Sequence, residues 1–225
     1  MATYITGDTH GNIDCQKFNN PYFPAAEGDY VIICGDFGAV WDGTEEEQKL
    51  LDWYNDKPWT TLFCDGNHDN FDLLSKYPVE EWNGGKVHRI RPKVLHLMRG
   101  QVFTIEGKTF FVMGGASSID KEYRTEGLNW WAEEIPSLRE MDEGFANLGK
   151  VGYKVDYVIT HSAPTAVLTS INPTYKTDAV TRYLALIQQM TKYTHWYCGH
   201  YHVNKKLPYN CTTIYNAWCR LPKEN

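Results

Sequence analysis

The side chains that could do chemistry lie in five short clusters that combine glycine or threonine with Asp, His or Asn. The clusters are Gly7–Gly11 (GDTHG), Gly35–Gly38 (GDFG), Gly66–Asp69 (GNHD), Thr160–Ser162 (THS) and Gly199–His202 (GHYH). Carboxylate oxygens and imidazole nitrogens without thiolate sulfur suit Mn, Fe, Zn or Co better than the all-oxygen sites typical of Mg or Ca. The clusters therefore predict a metal-dependent reaction.

The candidate ligands are too numerous for one ion. Asp8 and His10, like His200 and His202, are two positions apart, so the side chains of each pair point the same way in an extended backbone. Seven ligand atoms or more fit two ions about 3.5–4 Å apart that share one carboxylate, an arrangement that holds both the attacking and the leaving oxygen of a phosphoryl centre. Two divalent ions against the carboxylates of Asp8 and Asp36 leave positive charge, which favours an anionic substrate.

The clusters follow short apolar segments that are rich in β-branched and aromatic residues. Such segments are typical of strands, and their continuous hydrophobicity indicates a sheet that is covered on both faces. Because α/β folds bind ligands at the carboxyl ends of strands, the clusters are expected to meet at one edge. The predicted strands are Tyr4–Thr6, Tyr30–Cys34, Thr61–Cys64, Phe110–Met113, Tyr157–Thr160 and Trp196–Cys198.

Helical signals separate these strands. A Thr or Ser followed three residues later by Glu predicts helix starts at Thr44 and Ser137. The first helix is expected to run to about Asn55, and the second to be capped by Gly149. An apolar stripe at helical spacing predicts a third helix from Asp178.

The segment from Lys93 to Phe111 instead predicts paired strands that turn at Glu106-Gly107-Lys108. Helices and strands thus alternate with some antiparallel pairing, which indicates a mixed-sheet, layered α/β fold. No internal repeat or linker divides the 225 residues, so one domain over residues 1–225 is expected.

Composition limits the classes of partner. The formal net charge of -6 argues against a protein that lives on nucleic-acid backbone, because such binding needs an extended basic surface. No apolar run reaches the length of about 18 residues that could span a bilayer, and no signal-peptide pattern begins the sequence, so a soluble, cytoplasmic protein is expected. The six cysteines form no CxxC pair and are expected to be free thiols. The oligomeric state has no signal in the sequence.

In order and residue type, the clusters resemble the five sequence blocks of the calcineurin-like metallophosphoesterase superfamily. The resemblance covers residues 7 to 202. It implies a four-layer sandwich of two mixed β-sheets flanked by helices. It also implies a hydrolase of phosphoester bonds with two divalent metal ions, for which Mn²⁺ is the expected ion and Fe, Zn or Co are alternatives.

Carried over residue by residue, the resemblance implies a role for each cluster. One metal would be held by Asp8, His10, Asp36 and His202, and the other by Asp36, Asn67, His161 and His200. Asp36 is then the shared carboxylate. A hydroxide between the ions would attack phosphorus, and His68 would protonate the leaving alkoxide or orient the phosphate.

The block around Asp36 differs from that of the protein Ser/Thr phosphatase branch. That branch continues into Asp-Arg-Gly, whose Asp supports the general acid and whose Arg binds phosphate, whereas this chain has Phe37–Trp41 (FGAVW). The chain is therefore expected to lie outside that branch. Asp69 and Asp42 are both candidates to support His68, and the sequence does not choose between them.

Other segments are candidates for substrate contact. Arg124, in the loop after the Phe110–Met113 strand, is the candidate phosphate contact, with an ordinary surface ion pair as the alternative. Trp130 and Trp131 are expected in the core or in a lid, with a base-stacking platform as the alternative. Between Trp82 and Ile105 there is no acidic residue, and this stretch is either a solvated strand face or a groove for a longer phosphorylated substrate. Its basic residues are Lys86, Arg89, Arg91, Lys93 and Arg99.

The sequence thus predicts a dinuclear metal phosphoesterase acting on phosphomonoesters or phosphodiesters, with a phosphorylated small molecule or nucleotide as substrate. A nuclease or cyclic-nucleotide phosphodiesterase on the same site is the alternative within enzymes, although nucleic acid is the less favoured partner. A non-catalytic metal-binding scaffold is the alternative from another class. His88, His96 and His195 lie outside the clusters and are expected to be structural.

Overall fold

The computed structural model describes residues 1–222, in which strands and helices alternate. The strands are β1 (Thr3–Thr6), β2 (Tyr30–Ile33), β3 (Thr60–Phe63), β4 (Val79–Trp82), β5 (Gly85–Arg91), β6 (Val94–Leu97), β7 (Gln101–Ile105), β8 (Lys108–Met113), β9 (Tyr157–Thr160), β10 (His195–Cys198), β11 (Lys205–Leu207), β12 (Cys211–Thr213) and β13 (Trp218–Arg220). The α-helices are α1 (Glu45–Asn55), α2 (Phe71–Leu74), α3 (Leu138–Lys150), α4 (Thr165–Ile171) and α5 (Ala179–Met190). All six strands predicted from the sequence are present.

The strands form two mixed sheets. The seven-stranded sheet has the order β13-β1-β2-β3-β6-β5-β4, in which β1, β2, β3 and β6 are parallel and the outer strands are antiparallel. The six-stranded sheet has the order β11-β12-β10-β9-β8-β7, with β12, β10, β9 and β8 parallel. Since parallel strands end at a common edge, the loops after β1, β2 and β3 are neighbours, as are those after β9 and β10.

Three apolar clusters separate four layers. Val31 of β2 packs in one cluster with Leu51 of α1, whereas its neighbour Ile32 packs between the sheets with Ile159 of β9. Val158, next to Ile159, faces the third cluster, which includes residues of α3, α4 and α5. Adjacent strand residues point to opposite faces, so each central strand is buried on both sides. The predicted four-layer sandwich of two mixed β-sheets flanked by helices is confirmed.

Helix starts follow the local sequence, and one helix end does not. The hydroxyls of Thr44 and Ser137 each accept a hydrogen bond from the backbone N–H three residues on, as predicted. Asp178 caps α5 in the same way. The prediction that Gly149 caps α3 is wrong, because the helix continues to Lys150 and the first positive φ follows at Gly152.

Two hairpins have two-residue turns with positive φ. Glu106 and Gly107 join β7 to β8 with φ values of 51° and 75°, as a type I′ turn requires. Asn83 and Gly84 join β4 to β5 with φ values of 49° and 93°, and this Asn-Gly hairpin was missed in the sequence. The predicted paired segment from Lys93 to Phe111 is divided, because β6 pairs with β3 and β5 in one sheet while β7 and β8 belong to the other.

All six cysteines are free thiols, as predicted, and five of them are buried. Within residues 1–222, none of the helices combines the length and the apolar character that crossing a membrane requires.

Candidate metal centre

Two groups of metal-binding side chains converge beyond the ends of β1, β2, β9 and β10. One group consists of Asp8, His10 and His202, and the other of Asp8, Asp36 and His161. Within each group the potential ligand atoms lie within 4.8 Å of one another. The two groups share Asp8 and are therefore adjacent.

Asn67 and His200 extend the second group. Oδ1 of Asn67 lies 3.2 Å from Nε2 of His161, and the ring centroids of His200 and His161 are 4.9 Å apart. The structure therefore brings together all seven side chains that the sequence analysis names as ligands.

The carboxylate of Asp36 lies between the groups. Its Oδ2 is 3.3 Å from Nε2 of His10, and its Oδ1 is 3.2 Å from Nε2 of His161. Oδ1 also accepts a hydrogen bond of 2.8 Å from the backbone N–H of His68, which fixes the carboxylate from a third cluster. Only 1% of the residue is exposed, and a buried carboxylate is costly unless cations or hydrogen bonds compensate its charge.

Hydrogen bonds orient two of the imidazoles. Nδ1 of His161 lies 2.8 Å from the carbonyl oxygen of Cys34, which can only accept, so Nδ1 carries a proton and Nε2 faces the centre. Nδ1 of His10 lies 2.6 Å from Oδ2 of Asp14, whose Oδ1 accepts from the hydroxyl of Tyr215 at 2.9 Å. Such contacts on the far nitrogen are characteristic of metal-binding histidines. Asp14 and Tyr215 were not predicted from the sequence, in which the four-residue spacing from His10 to Asp14 is the one signal for this contact.

The buried groups shift one another's pKa values. Burial lowers the pKa of His161, but the carboxylates of Asp36 and Asp8, together with the hydrogen bond to Cys34, outweigh burial and raise this pKa to about 10. Burial also lowers the pKa of His10, but Asp36, Asp14 and Asp8 raise it overall, to about 9. Burial raises the pKa of Asp36, yet His161 and His10 hold it well below its usual range. Imidazolium ions thus balance, in the metal-free protein, the negative charge that divalent ions would otherwise balance.

Several candidate ligands have strained backbone conformations. His10, Asp36, His200 and His202 have φ values of 42°, 46°, 68° and 50°. Positive φ is uncommon for residues other than glycine, and such strain is concentrated at functional sites. The donor set, the hydrogen bonds on the far nitrogens and this concentration of strain all fit a centre for divalent metal ions.

Glycines beside the ligands allow close approach. A Cβ atom on Gly66 would overlap the carboxylate of Asp36, and one on Gly199 would overlap that of Asp8. Because glycine has no Cβ atom, Gly66 and Gly199 allow their clusters to approach the carboxylates of Asp36 and Asp8.

His68 lies beside the centre and contacts Arg124. Nη1 of Arg124 is 3.5 Å from Nδ1 of His68, and a guanidinium has no acceptor, so Nδ1 accepts and Nε2 carries the proton. The carboxylate of Asp120 holds the guanidinium through contacts of 2.8 and 2.7 Å. Burial lowers the pKa of His68, and the positive charge of Arg124 adds to this effect against the attraction of Asp36.

The imidazole of His68 contacts Arg124, whereas the sequence suggested Asp69 or Asp42 as its support. Within the described part of the chain, neither Asp69 nor Asp42 has a hydrogen bond to the imidazole of His68. Asp69 accepts the backbone N–H of Gly38, in another cluster, at 2.9 Å and that of Gly66, in its own cluster, at 2.8 Å. Asp42 accepts from the backbone N–H of Thr44 at 2.9 Å.

Two cavities adjoin His68. The smaller, of about 140 Å³, is lined by Asp36, Asn67, Arg124 and other residues of the centre. The larger, of about 490 Å³, also borders His10. His68 lines both cavities.

The basic side chains between Trp82 and Ile105 have local partners. These pairs are Lys86 with Glu143, Arg89 with Glu80, Arg91 with Asp52, Lys93 with the carbonyl of Lys57, and Arg99 with Asp65. Charges that are already paired attract a phosphate backbone less strongly, so the arrangement supports a strand face rather than a groove for a polyanion.

The histidines outside the clusters are hydrogen-bonded, as expected for structural residues. Nδ1 of His88 is 3.0 Å from Nδ1 of His96, whose Nε2 is 3.1 Å from Oδ1 of Asp65. Nε2 of His195 is 2.8 Å from the hydroxyl of Thr212.

A four-layer sandwich that gathers Asp, His and Asn at the carboxyl ends of its parallel strands defines an α/β protein with a metal-binding centre. The sequence model of the calcineurin-like phosphoesterase family matches residues 1–204, and the chain belongs to this family. Membership implies a metal-dependent hydrolase of phosphoester bonds. A comparison with curated proteins finds no matching relative.

Proposed function

We propose that the protein hydrolyses phosphomonoesters or phosphodiesters at a dinuclear metal centre. The observation that supports this most directly is the position of Asp36, whose carboxylate oxygens face His10 and His161 separately. When bound, two divalent ions would supply positive charge to the phosphate and a hydroxide nucleophile at neutral pH. Mn²⁺ is the proposed ion, with Fe, Zn or Co as alternatives for the same donor set.

The ligands divide between the ions as the family resemblance implies. One ion would be held by Asp8, His10, Asp36 and His202, and the other by Asp36, Asn67, His161 and His200. Asp8 is also near both groups, but its 3.9 Å approach to His161 is to Nδ1, which is already bonded to Cys34. Asp36 approaches Nε2 and is therefore the proposed shared ligand.

His68 is the proposed catalytic residue. Hydrolysis breaks the bond between phosphorus and the ester oxygen, forms a bond from phosphorus to a water oxygen, and leaves the water proton on the released alcohol. Because its pKa is lowered, the imidazole is neutral near pH 7, and its Nε2–H donates a hydrogen bond to the phosphate or the leaving oxygen. The orienting role thus has more support than proton donation by an imidazolium.

Arg124 is the proposed phosphate contact. It lines the smaller cavity with Asp36 and Asn67, and its guanidinium is held in place by Asp120. A phosphorylated small molecule or nucleotide is the proposed substrate. The net charge of -6 and the paired basic side chains give the nuclease alternative less support.

The test is a panel of aryl phosphate monoesters, aryl phosphate diesters and nucleic acid, assayed with protein loaded with Mn²⁺, Zn²⁺, Fe²⁺ or Mg²⁺. We expect hydrolysis of a monoester or a diester, and we expect Asp36→Asn to lower kcat/KM by at least about 100-fold, because loss of a shared ligand affects both ions. Asp52→Asn is the matched control, since that carboxylate is exposed and paired with Arg91.

Two results would count against the proposal. If metal-loaded protein hydrolyses neither class of ester, the scaffold alternative is favoured. If Asp36→Asn is fully active, the ligand assignment is wrong.

A further inference from the structure

The larger cavity beside His68 has an apolar wall and an acidic rim. Its volume of about 490 Å³ is within the range of about 300–1,000 Å³ that is usual for small organic ligands. Ile13, Trp41 and Leu50 contribute apolar surface, and Asp42 and Glu46 contribute carboxylates. A phosphate group alone does not need this space, which lies outside the smaller cavity of the metal centre.

His68 connects the two cavities. It lines the smaller one together with Asp36 and Arg124, where the phosphoryl group is proposed to bind. It lines the larger one together with His10 and Trp41. An ester oxygen that accepts a hydrogen bond from His68 would therefore join a phosphoryl group in the smaller cavity to an organic group in the larger one.

Trp41 is held rigidly in the wall. Its ring meets the ring of Trp131 edge-on, with centroids 5.2 Å apart, and its carbonyl oxygen accepts from Nδ2 of Asn70 at 2.6 Å. Trp131 is buried, and its indole N–H donates to Asp72 at 2.9 Å. A fixed aromatic ring offers a flat apolar surface that loses little conformational entropy when a ligand binds.

The cavity is unfavourable for anions. No Lys or Arg of residues 1–222 lines it. It borders the turn before α1, where free backbone N–H groups would attract an anion. The carboxylate of Glu47 already accepts from the N–H groups of this turn, those of Trp41, Asp42 and Gly43, at 2.5, 2.8 and 3.2 Å. Glu46 adds further negative charge in the first turn of α1.

We propose, on the basis of the proposed phosphoesterase function, that this cavity binds the leaving group of the substrate and selects a neutral or cationic alcohol with an aromatic or other flat apolar part. Hydrolysis releases this alcohol from the phosphoryl group, as in the reaction above. Leaving groups that carry further phosphates, such as nucleoside polyphosphates or nucleic-acid strands, are selected against because Asp42 and Glu46 repel them.

The test uses two aryl esters with the same reacting bond and opposite charges at the far end. These are O-phosphotyramine, which ends in an ammonium group, and 3-(4-phosphonooxyphenyl)propionate, which ends in a carboxylate. Either the monoesters or their methyl diesters are used, according to the bond class that the protein hydrolyses. We expect kcat/KM to be at least about tenfold higher for the cationic ester, because like charges brought together are costly.

Variants of residues that line the cavity test whether the cavity causes the preference for the cationic ester. The double variant Asp42→Asn/Glu46→Gln is expected to bring the ratio of the two kcat/KM values close to one. Glu45→Gln is the matched control, because Glu45 is exposed on the same turn, pairs with Lys49 and does not line the cavity. Trp41→Leu is expected to raise KM for both aryl esters and to leave KM for the methyl ester of the same bond class unchanged.

The outcomes separate this inference from the function on which it rests. Equal kcat/KM values for the two esters, a preference for the anionic ester, or a ratio that the double variant leaves unchanged would overturn the inference, while hydrolysis itself would leave the proposed function intact. If neither aryl ester nor the methyl ester is hydrolysed, the proposed phosphoesterase function itself is contradicted, and the inference about the cavity falls with it. The polar substitutions are at exposed positions, so the test does not depend on the folding of Trp41→Leu.

Discussion

Nε2 of His161 lies 3.2 Å from Oδ1 of Asp36, and both side chains are buried. Nδ1 of His161 is bonded to the carbonyl of Cys34, so Nε2 is the atom that takes up a second proton and also the atom that would bind a metal ion. His10 has the same arrangement, with Asp14 on its Nδ1. A proton and a metal ion therefore compete for one lone pair on each ring.

Metal binding is expected to release protons at neutral pH. The pKa values of His161 and His10 are raised to about 10 and about 9 in the metal-free protein, so both rings are protonated at pH 7 and must lose a proton to bind a metal. Affinity for Mn²⁺ should then rise with pH up to this range. Calorimetric titrations in buffers of different ionisation enthalpy measure the release, and identical heats in all buffers would contradict it.

Asp14 is expected to control metal affinity without touching the metal. Asp14→Asn weakens the hydrogen bond that orients His10 and removes the negative charge behind it. We expect metal affinity to fall by about 10- to 100-fold, as for other groups that orient metal-binding histidines. Tyr215→Phe removes only the bond to the other oxygen of Asp14 and should have a smaller effect in the same titration. Equal affinities for Asp14→Asn and the unmodified protein would count against this role.

The ion pair of Arg99 and Asp65 is expected to be important for stability. Nε and Nη2 of Arg99 contact one oxygen of Asp65 at 2.8 and 2.6 Å, and both residues are buried. Arg99→Met removes the guanidinium from a buried carboxylate that keeps only its contact with the imidazole of His96 among the pairs above, and it should lower the free energy of unfolding by about 3–5 kcal/mol in urea denaturation. Adding Asp65→Asn should recover part of this loss.

The matched control for this pair is Arg91→Met. Arg91 contacts Asp52 at 2.8 Å, but the side chain of Asp52 is 63% exposed. An exposed pair typically contributes less than about 1 kcal/mol. Similar losses for the two Arg→Met variants would show that burial does not determine the strength of these pairs.

Protonation of His88 is expected to destabilise the fold in mild acid. Burial, together with the neighbouring His96, lowers the pKa of His88 to about 4. Between about pH 6.5 and pH 4 the unfolded chain binds a proton at His88 that the folded protein does not. The free energy of unfolding should therefore fall as the pH is lowered, by at most about 1.4 kcal/mol per pH unit from this group.

His88→Asn isolates this contribution, because the amide retains a hydrogen-bonding atom near His96 but does not titrate. Urea denaturation of chelator-treated protein between pH 7 and pH 4 should show a shallower pH dependence for the variant. Parallel curves for the two proteins would exclude His88 as the source.

The sequence by itself determined the features that depend on neighbouring residues. Apolar runs specify strands because strand formation requires side chains that can be buried on both faces, and the caps at Thr44 and Ser137 are contacts over three residues. The types of the candidate ligands were also predicted from the sequence, because Asp, His and Asn beside glycine at strand ends are costly to bury without a partner. The layered fold, the family and the residues that the centre brings together follow from these local patterns.

Only the tertiary structure decided which distant residues meet. Tyr215 contacts Asp14 across 201 positions, and Arg124 contacts His68 across 56 positions, and neither contact has a local signal. The same limit explains why Lys93–Phe111 divides between two sheets, because strand partners are chosen by packing across the whole fold. The cavity beside Trp41 likewise exists only because the loops after β1, β2 and β3 come together with α1, so no single segment of the sequence predicts its shape and charge.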